Sequence, residues 1–368
     1  MGGELDGLEG VVAAETVLSE VDGAAGRLII RGFTLDELSG RWTFEAVARL
    51  LWGGFFDGLP DDLRPAIGAA REEVFGEVRA LDAALAARPP MEAMRALTAR
   101  LSDGDDLATA LRLTAAPAVF TAAVTRARAG EAAVAPDAAL GHAEDILRMT
   151  RGAPARRAEV AALDAYLVAV ADHGLNASTF AARVVASTRA GLTSSVLAGL
   201  SALKGPLHGG APGPVIEMLD AVGEPRNARV WLEAALDRGD RLMGFGHRVY
   251  RVRDPRADAL RRAVKDLGEG SNRLPGRLAL AEAVEAAALA VLAERKPERS
   301  LQTNVELYTG LLLEALAFPR DAFACVFAMA RVAGWIAHAR EQQAAGRLIR
   351  PQSRYVGPEP AEGRPAAA

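Results

Sequence analysis

Cysteine is nearly absent from this chain. Its 368 residues include one, Cys325, set in an apolar helical run. A single thiol excludes an intrachain disulfide and any cysteine-based metal cluster, and it fits a reducing compartment. Aromatic residues make up only 5%. Strand formers are mostly β-branched and aromatic, so a chain dominated by alanine and leucine points to helix. Neither sign of charge is in large excess: the formal net charge is −4. With no Lys/Arg block and no interleaved aromatics, no nucleic-acid partner is expected. No segment reads as eighteen uncharged apolar residues, so no membrane span is expected. Met1 to Gly10 carries acids rather than a basic stretch followed by an apolar one, so no signal peptide is expected and the default location is cytoplasmic. Gly-x-Ser-x-Gly, His-Glu-x-x-His, Walker-type and Gly-x-Gly-x-x-Gly patterns are missing, which removes the usual support for serine hydrolase, zincin, P-loop and Rossmann readings.

Half of the residues are apolar, enough for one large domain or two ordinary ones. Gly23 to Gly32 is the best strand candidate and predicts a small hairpin. From Thr43 the pattern turns helical, with Phe44, Val47, Ala48 and Leu51 on one face and Gly53-Gly54 as the stop. Further helices are predicted near 60–88, 91–101, 105–129 and 137–151. A stripe of Val160, Leu163, Leu167 and Val168 follows Pro154 and ends at Asp172-His173-Gly174. Asn176 suits the cap of a helix reaching about Lys204. The Gly/Pro-rich segment Gly205 to Pro214 is a candidate domain boundary. Helices resume to Asp237 and again near 255–267, 275–295, 305–317 and 320–344, and the tail from Gly357 predicts disorder.

Against this helical background two histidines stand in glycine loops: Leu207-His208-Gly209-Gly210-Ala211 and Gly244-Phe245-Gly246-His247-Arg248-Val249-Tyr250. Glycine lets the backbone approach a ligand closely, and histidine exchanges protons near neutral pH. His173 sits at a helix end beside Gly174, where a capping role is equally natural. Asp254-Pro255-Arg256 follows the second loop. Asn304-Val305-Glu306 places a carboxylate at a helix start, a position acids favour in any case. Arg331 is flanked by apolar residues on both sides and needs an anion to offset its desolvation. Arg251 and Arg350 read equally well as solvated charges. His142 and His338 read as structural.

Taken in order, these segments resemble the citrate synthase family along nearly the whole chain. The resemblance starts at Gly7-Leu8-Glu9-Gly10-Val11-Val12-Ala13-Ala14-Glu15-Thr16. It passes through Asp172-His173-Gly174-Leu175-Asn176-Ala177-Ser178-Thr179 and both histidine loops. It ends with Arg331-Val332-Ala333-Gly334-Trp335-Ile336-Ala337-His338 and Arg347-Leu348-Ile349-Arg350-Pro351. The resemblance implies a mainly α fold. A discontinuous large helical domain (1–211 and 315–368) would hold an inserted smaller helical domain (212–314), with one short β-hairpin near the N-terminus. It implies a homodimer of the short bacterial and archaeal type, and an acyltransferase of the tricarboxylic acid cycle that condenses acetyl-CoA with oxaloacetate and hydrolyses citryl-CoA. His208 would serve the thioester carbonyl, His247 the oxaloacetate carbonyl, and Glu306 would be the base. His173, Arg256, Arg331 and, from the other subunit, Arg350 would hold oxaloacetate, and Arg251 would lie near the CoA phosphates. No cofactor and no metal are implied, coenzyme A being part of a substrate.

The chain departs from the family near the base. Glu306 stands where aspartate is usual, Gln302-Thr303 where Tyr-Pro is common, Pro212 where asparagine is frequent, and Val170 where many bacterial relatives have histidine. These changes suggest a divergent subgroup. They leave open a 2-methylcitrate synthase using propionyl-CoA and a non-catalytic binding protein with the same fold. A metal enzyme built on His208, His247 and Glu306 is a weaker alternative.

Overall fold

The computed structural model describes residue 8 and residues 10–208, 212–268 and 274–357. The glycines after His208 and the tail beyond residue 357 lie outside that range.

Strands β1 (Ser19–Asp22), β2 (Arg27–Ile30) and β3 (Phe33–Thr34) form one antiparallel sheet in the order β1-β2-β3. The predicted hairpin is therefore present, but Gly23 to Gly26 form its turn rather than the start of a strand. Asp22 accepts hydrogen bonds from the amides of Ala24 (3.0 Å) and Ala25 (2.9 Å) and closes that turn. Sixteen α-helices follow among the described residues: α1 (Leu35–Leu38), α2 (Phe44–Trp52), α3 (Arg64–Phe75), α4 (Ala83–Ala86), α5 (Pro90–Thr98), α6 (Leu107–Arg128), α7 (His142–Arg151), α8 (Arg157–Val170), α9 (Ala177–Ala186), α10 (Leu192–Leu203), α11 (Pro212–Val222), α12 (Ala228–Asp237), α13 (Pro255–Gly268), α14 (Leu274–Arg295), α15 (Val305–Ala315) and α16 (Phe323–Ala345). The mainly α expectation holds.

Two predicted helices are broken. The segment from Asn176 to Lys204 divides into α9 and α10, because Arg189 (φ 62°) and Gly191 (φ 95°) adopt left-handed backbone. The carboxylate of Asp103 sits where a side chain at position 191 would go, and it caps α10 by accepting from the amides of Thr193 (2.8 Å) and Ser194 (3.1 Å). That cap comes from 90 residues away, so the local apolar pattern carries no trace of it. Residues 60–88 likewise resolve into α3, a 3-10 turn (Gly76–Ala80) and α4, which Asp82 caps through the Leu85 amide at 2.7 Å.

Leu107–Arg128 and Arg320–Ala345 are long and apolar enough to cross a bilayer by length and composition. Both are core helices here, with 78% and 94% of their most apolar windows buried. The second of these contains α16, which packs against α2, α6, α8, α9 and α10. Gly334 brings α16 onto the end of α8: a Cβ there would lie 2.8 Å from an oxygen of Asp172 and closer still to the Ala171 carbonyl. Two further packings set up the other half of the site, α13 against α8 and α15, and α11 against α15.

Candidate functional site

The second histidine loop is laced to the start of α15. Gly244 and Gly246 have φ of 87° and 82°, conformations a side chain resists. The loop pairs with residues 302–304: Gly246 N donates to Gln302 O (2.7 Å), Asn304 N to Gly244 O (2.9 Å), and Asn304 Nδ2 to Gly246 O (2.8 Å). The same Asn304 caps α15 by accepting from Glu306 N at 3.0 Å. One asparagine thus ties the His247 loop to the turn that carries Glu306.

His247 has a defined proton. Its Nδ1 accepts from the amides of Val249 and Tyr250, both at 3.0 Å. A nitrogen that accepts twice carries no hydrogen, so in the neutral ring Nε2 is the donor. Burial first, then the charge of Arg256, push its pKa down to about 4. At neutral pH the residue is a neutral imidazole offering one N–H. His173 lies edge-on to it, with ring centroids 5.5 Å apart, and its Nε2 is 3.2 Å from the hydroxyl of Tyr250. Burial, followed by the guanidiniums of Arg256 and Arg331, holds His173 well below the usual histidine range.

His208 belongs to the same cluster: both it and His173 feel Arg256 and Arg331, and burial brings His208 to about 4. Its Nε2 is 2.8 Å from Ser178 Oγ on the first turn of α9. That hydroxyl also accepts from Trp335 Nε1 (3.2 Å) and lies 2.7 Å from Asn176 Oδ1, the α9 cap. The single hydroxyl proton goes either to Asn176 Oδ1 or to His208 Nε2, and His208 presents a donor on its other ring nitrogen when the proton goes to Nε2.

Two ionisable groups in this cluster each leave a buried polar atom unpaired. Glu306 buries Oε2 with no hydrogen bond, and desolvation raises its pKa to about 8 against the pull of Arg256 and Arg241. Arg331 is 1% exposed. Its Nε donates to Val170 O at 2.7 Å and its guanidinium lies 4.9 Å from the Phe327 ring centroid, but Nη2 is buried and unpaired. Burial lowers its pKa to about 10. Arg256 is held differently: Asp254 accepts from its Nε (3.0 Å) and Nη2 (2.7 Å) in a forked pair. Asp254 also accepts from Val305 N (3.2 Å), so one carboxylate joins the first turns of α13 and α15.

The cluster brings together His173, His208, His247, Arg256, Glu306 and Arg331. Arg251 lies on the exposed rim of the second loop, close enough to act on His247. Arg350 is exposed on the segment after α16, beside Ile349, whose amide donates to Ser187 Oγ (3.1 Å), and it makes no contact with the cluster of its own chain. The remaining histidines are buried in other networks. His142 stacks on Phe44, and His338 accepts from Arg183 on Nδ1 (3.0 Å) and donates from Nε2 to Asp172 (3.1 Å). A surface hollow of about 510 Å³ lined by Phe56, Asp57, Asp105, Asp106, Leu107 and Arg340 contains none of the cluster.

Sequence reasoning assigned no role to Ser178, Tyr250, Asp254 or Asp172. Asp172 and Ser178 lie in a segment that carries the resemblance, Tyr250 in the second histidine loop and Asp254 just before Arg256, each one to five residues from a residue that was assigned. Their signal was adjacency, and their partners lie far away in sequence. Asp172, for example, receives His338 and Ser19 Oγ beneath His173.

Three neutral imidazoles, an unpaired carboxyl and converging guanidiniums on a helical scaffold define an acid–base enzyme for a small anionic substrate. Comparison with known proteins identifies the family. The description "Citrate synthase, C-terminal domain" matches residues 7–352. The citrate synthase of Haloferax volcanii is 37% identical over 380 residues, covering 97% of each chain. The 2-methylcitrate synthase of Mycobacterium tuberculosis is 38% identical over 369 residues, 96% of this chain and 90% of that one. The citrate synthase of Thermoplasma acidophilum, solved as a ternary complex with carboxymethyl coenzyme A and oxaloacetate, superposes with a TM-score of 0.85 at 27% identity over 98% of both chains. This chain belongs to the citrate synthase family and is an acyltransferase of that family.

Proposed function

We propose that the chain condenses acetyl-CoA with oxaloacetate and hydrolyses the resulting citryl-CoA to citrate and CoA. The observation that carries this reading is the pair of buried unpartnered groups, Glu306 Oε2 and Arg331 Nη2, in one cluster. A carboxylate oxygen without a donor is a stronger base, and a guanidinium with an unpaired N–H awaits an anion.

Glu306, once ionised, takes a proton from the thioester methyl group. That methyl is a far weaker acid than any carboxylic acid, so the transfer requires the developing enolate oxygen to be stabilised as it forms. His208 supplies that hydrogen bond from Nδ1, which carries the ring proton when the Ser178 hydroxyl turns to donate to Nε2. The enolate carbon attacks the carbonyl of oxaloacetate, whose carbon–oxygen π bond breaks toward the Nε2–H of His247. Arg256 and Arg331 pair with the carboxylates of oxaloacetate, and His173 adds a hydrogen bond. Water then cleaves the thioester of citryl-CoA. Arg251 at the rim suits the CoA phosphates.

The active species is a homodimer in which Arg350 enters the partner's site. This is supported by the exposure of Arg350 and by exposed apolar residues at both chain ends, including Val12 (85%), Val17 (64%), Leu348 (57%) and Val356 (83%). The segment 212–314 acts as the smaller domain, and its closure over the substrates excludes water until the carbon–carbon bond forms. The enzyme works in the cytoplasm without cofactor or metal. Glu306 retains the role usual for aspartate, defining a divergent subgroup. Release of CoA thiol in the presence of oxaloacetate tests the reading. Turnover with acetyl-CoA exceeding that with propionyl-CoA supports it, the reverse preference makes the chain a 2-methylcitrate synthase, and oxaloacetate binding without thiol release from any acyl-CoA makes it a non-catalytic binding protein.

A further inference from the structure

The N-terminal hairpin supports the second histidine loop from outside the cluster. The carbonyl of Gly23 accepts from Arg251 N at 2.8 Å. Gly23 itself lies flat against Val249: a Cβ there would stand 2.6 Å from the Val249 carbonyl carbon and nearer still to its oxygen. Real Cβ atoms do not approach backbone so closely, so any side chain at position 23 must displace the loop. Gly26 makes a similar approach, with a Cβ position 2.7 Å from Val252 Cγ2. Asp22 holds the turn in place through the Ala24 and Ala25 amides. The backbone segment pressed against Gly23 includes the Val249 and Tyr250 amides that hold His247 Nδ1.

We propose that Gly23, held by Asp22, is a positioning residue for His247: the hairpin turn fixes the Val249–Arg251 backbone, and that backbone fixes the ring whose Nε2–H polarises the oxaloacetate carbonyl. The inference rests on the proposed role of His247. Gly23 meets the loop at the Val249 carbonyl and the Arg251 amide. Its effect passes through the loop backbone. A displacement of about 1 Å at a catalytic hydrogen-bond donor costs on the order of a hundredfold in rate.

The test compares wild type, Gly23→Ala, Asp22→Ala, His247→Gln and, as a control, Gly76→Ala, whose Cβ would meet nothing within 4 Å. The readouts are kcat for CoA release, the dissociation constant of oxaloacetate, and the infrared stretching frequency of the bound oxaloacetate carbonyl labelled with carbon-13. Gly23→Ala is expected to lower kcat by about tenfold to a hundredfold. It should also move the carbonyl stretch back toward its solution value and change the oxaloacetate dissociation constant less than about threefold, because Arg331 and Arg256 still hold the carboxylates. Asp22→Ala removes a turn contact without adding an atom, so it should fold and show the same spectral change with a smaller rate loss. Gly76→Ala should match wild type in all three. Wild-type kcat and carbonyl frequency in a folded Gly23→Ala, or in Asp22→Ala if Gly23→Ala does not fold, would overturn the positioning role. Wild-type behaviour of His247→Gln would instead overturn the role of His247 itself.

Discussion

Replacing Arg331 with methionine should make the empty protein more stable and the enzyme worse, and both magnitudes follow from the contacts. Burial moves the guanidinium pKa from the usual arginine range down to about 10. Such a lowering corresponds to roughly 3 kcal/mol of uncompensated desolvation. The folded value lies below the unfolded one, so the penalty grows as pH falls to about 10, is constant below that, and is fully present at neutral pH. Methionine of similar length removes the penalty. It also leaves Val170 O without its donor, a loss of about 1 kcal/mol. The contact over the Phe327 ring contributes about another 1 kcal/mol. The net expectation is about 1 kcal/mol of added stability, a rise in unfolding temperature of about 2 °C. Oxaloacetate, in contrast, loses a desolvated charged partner worth about 2–5 kcal/mol, which raises its dissociation constant by roughly thirtyfold to several thousandfold. Thermal unfolding of the ligand-free protein at pH 7 and calorimetric titration with oxaloacetate measure the two quantities. A lower unfolding temperature together with unchanged oxaloacetate affinity would refute the assignment of Arg331 as a charge held ready for an anion.

With the Glu306 pKa at about 8, the ionised base rises from about a tenth of the enzyme at pH 7 to about nine-tenths at pH 9, and kcat/KM for the acyl-CoA should rise about tenfold over that interval. Because this folded value lies above the unfolded carboxylic acid value, ligand-free stability should fall as pH rises from about 4.5 to about 8, a slope that Glu306→Gln should remove in thermal unfolding. Ser178→Ala should reduce kcat by about tenfold to a hundredfold with oxaloacetate affinity unchanged, since it frees His208 Nε2 and leaves the arginines intact; an equal loss of both would count against a role through His208. Co-expression of Arg350→Ala with Glu306→Gln should yield hybrid dimers with one intact site, and about a quarter of wild-type specific activity, if Arg350 serves the partner's site. Activity no higher than that of the two variants alone would place Arg350 elsewhere.

What was legible in the sequence follows the range of each interaction. Asn176, Thr43 and Asp106 each cap a helix through amides two or three residues on, so those starts can be read locally. The break between α9 and α10 cannot, because Asp103 supplies the cap from another part of the chain while the apolar pattern runs on. At the site, glycine neighbours marked His208 and His247, and apolar neighbours marked Arg331 as a charge in need of a partner. The groups that orient them were invisible for the same reason as Asp103: Ser178 meets His208 across 30 positions, and Asp254 meets Val305 across 51. The unpaired state of Glu306 was also out of reach, since an acid in a first helical turn is commonplace and only its burial makes it a base.

The most direct measurement compares CoA release from acetyl-CoA and oxaloacetate by wild type, Glu306→Asp and Glu306→Gln under saturating substrate. Wild type should turn over, Glu306→Asp should retain measurable activity through a carboxylate one methylene shorter, and Glu306→Gln should fall by at least about a thousandfold while still binding oxaloacetate. Full turnover by Glu306→Gln would contradict the assignment of the base.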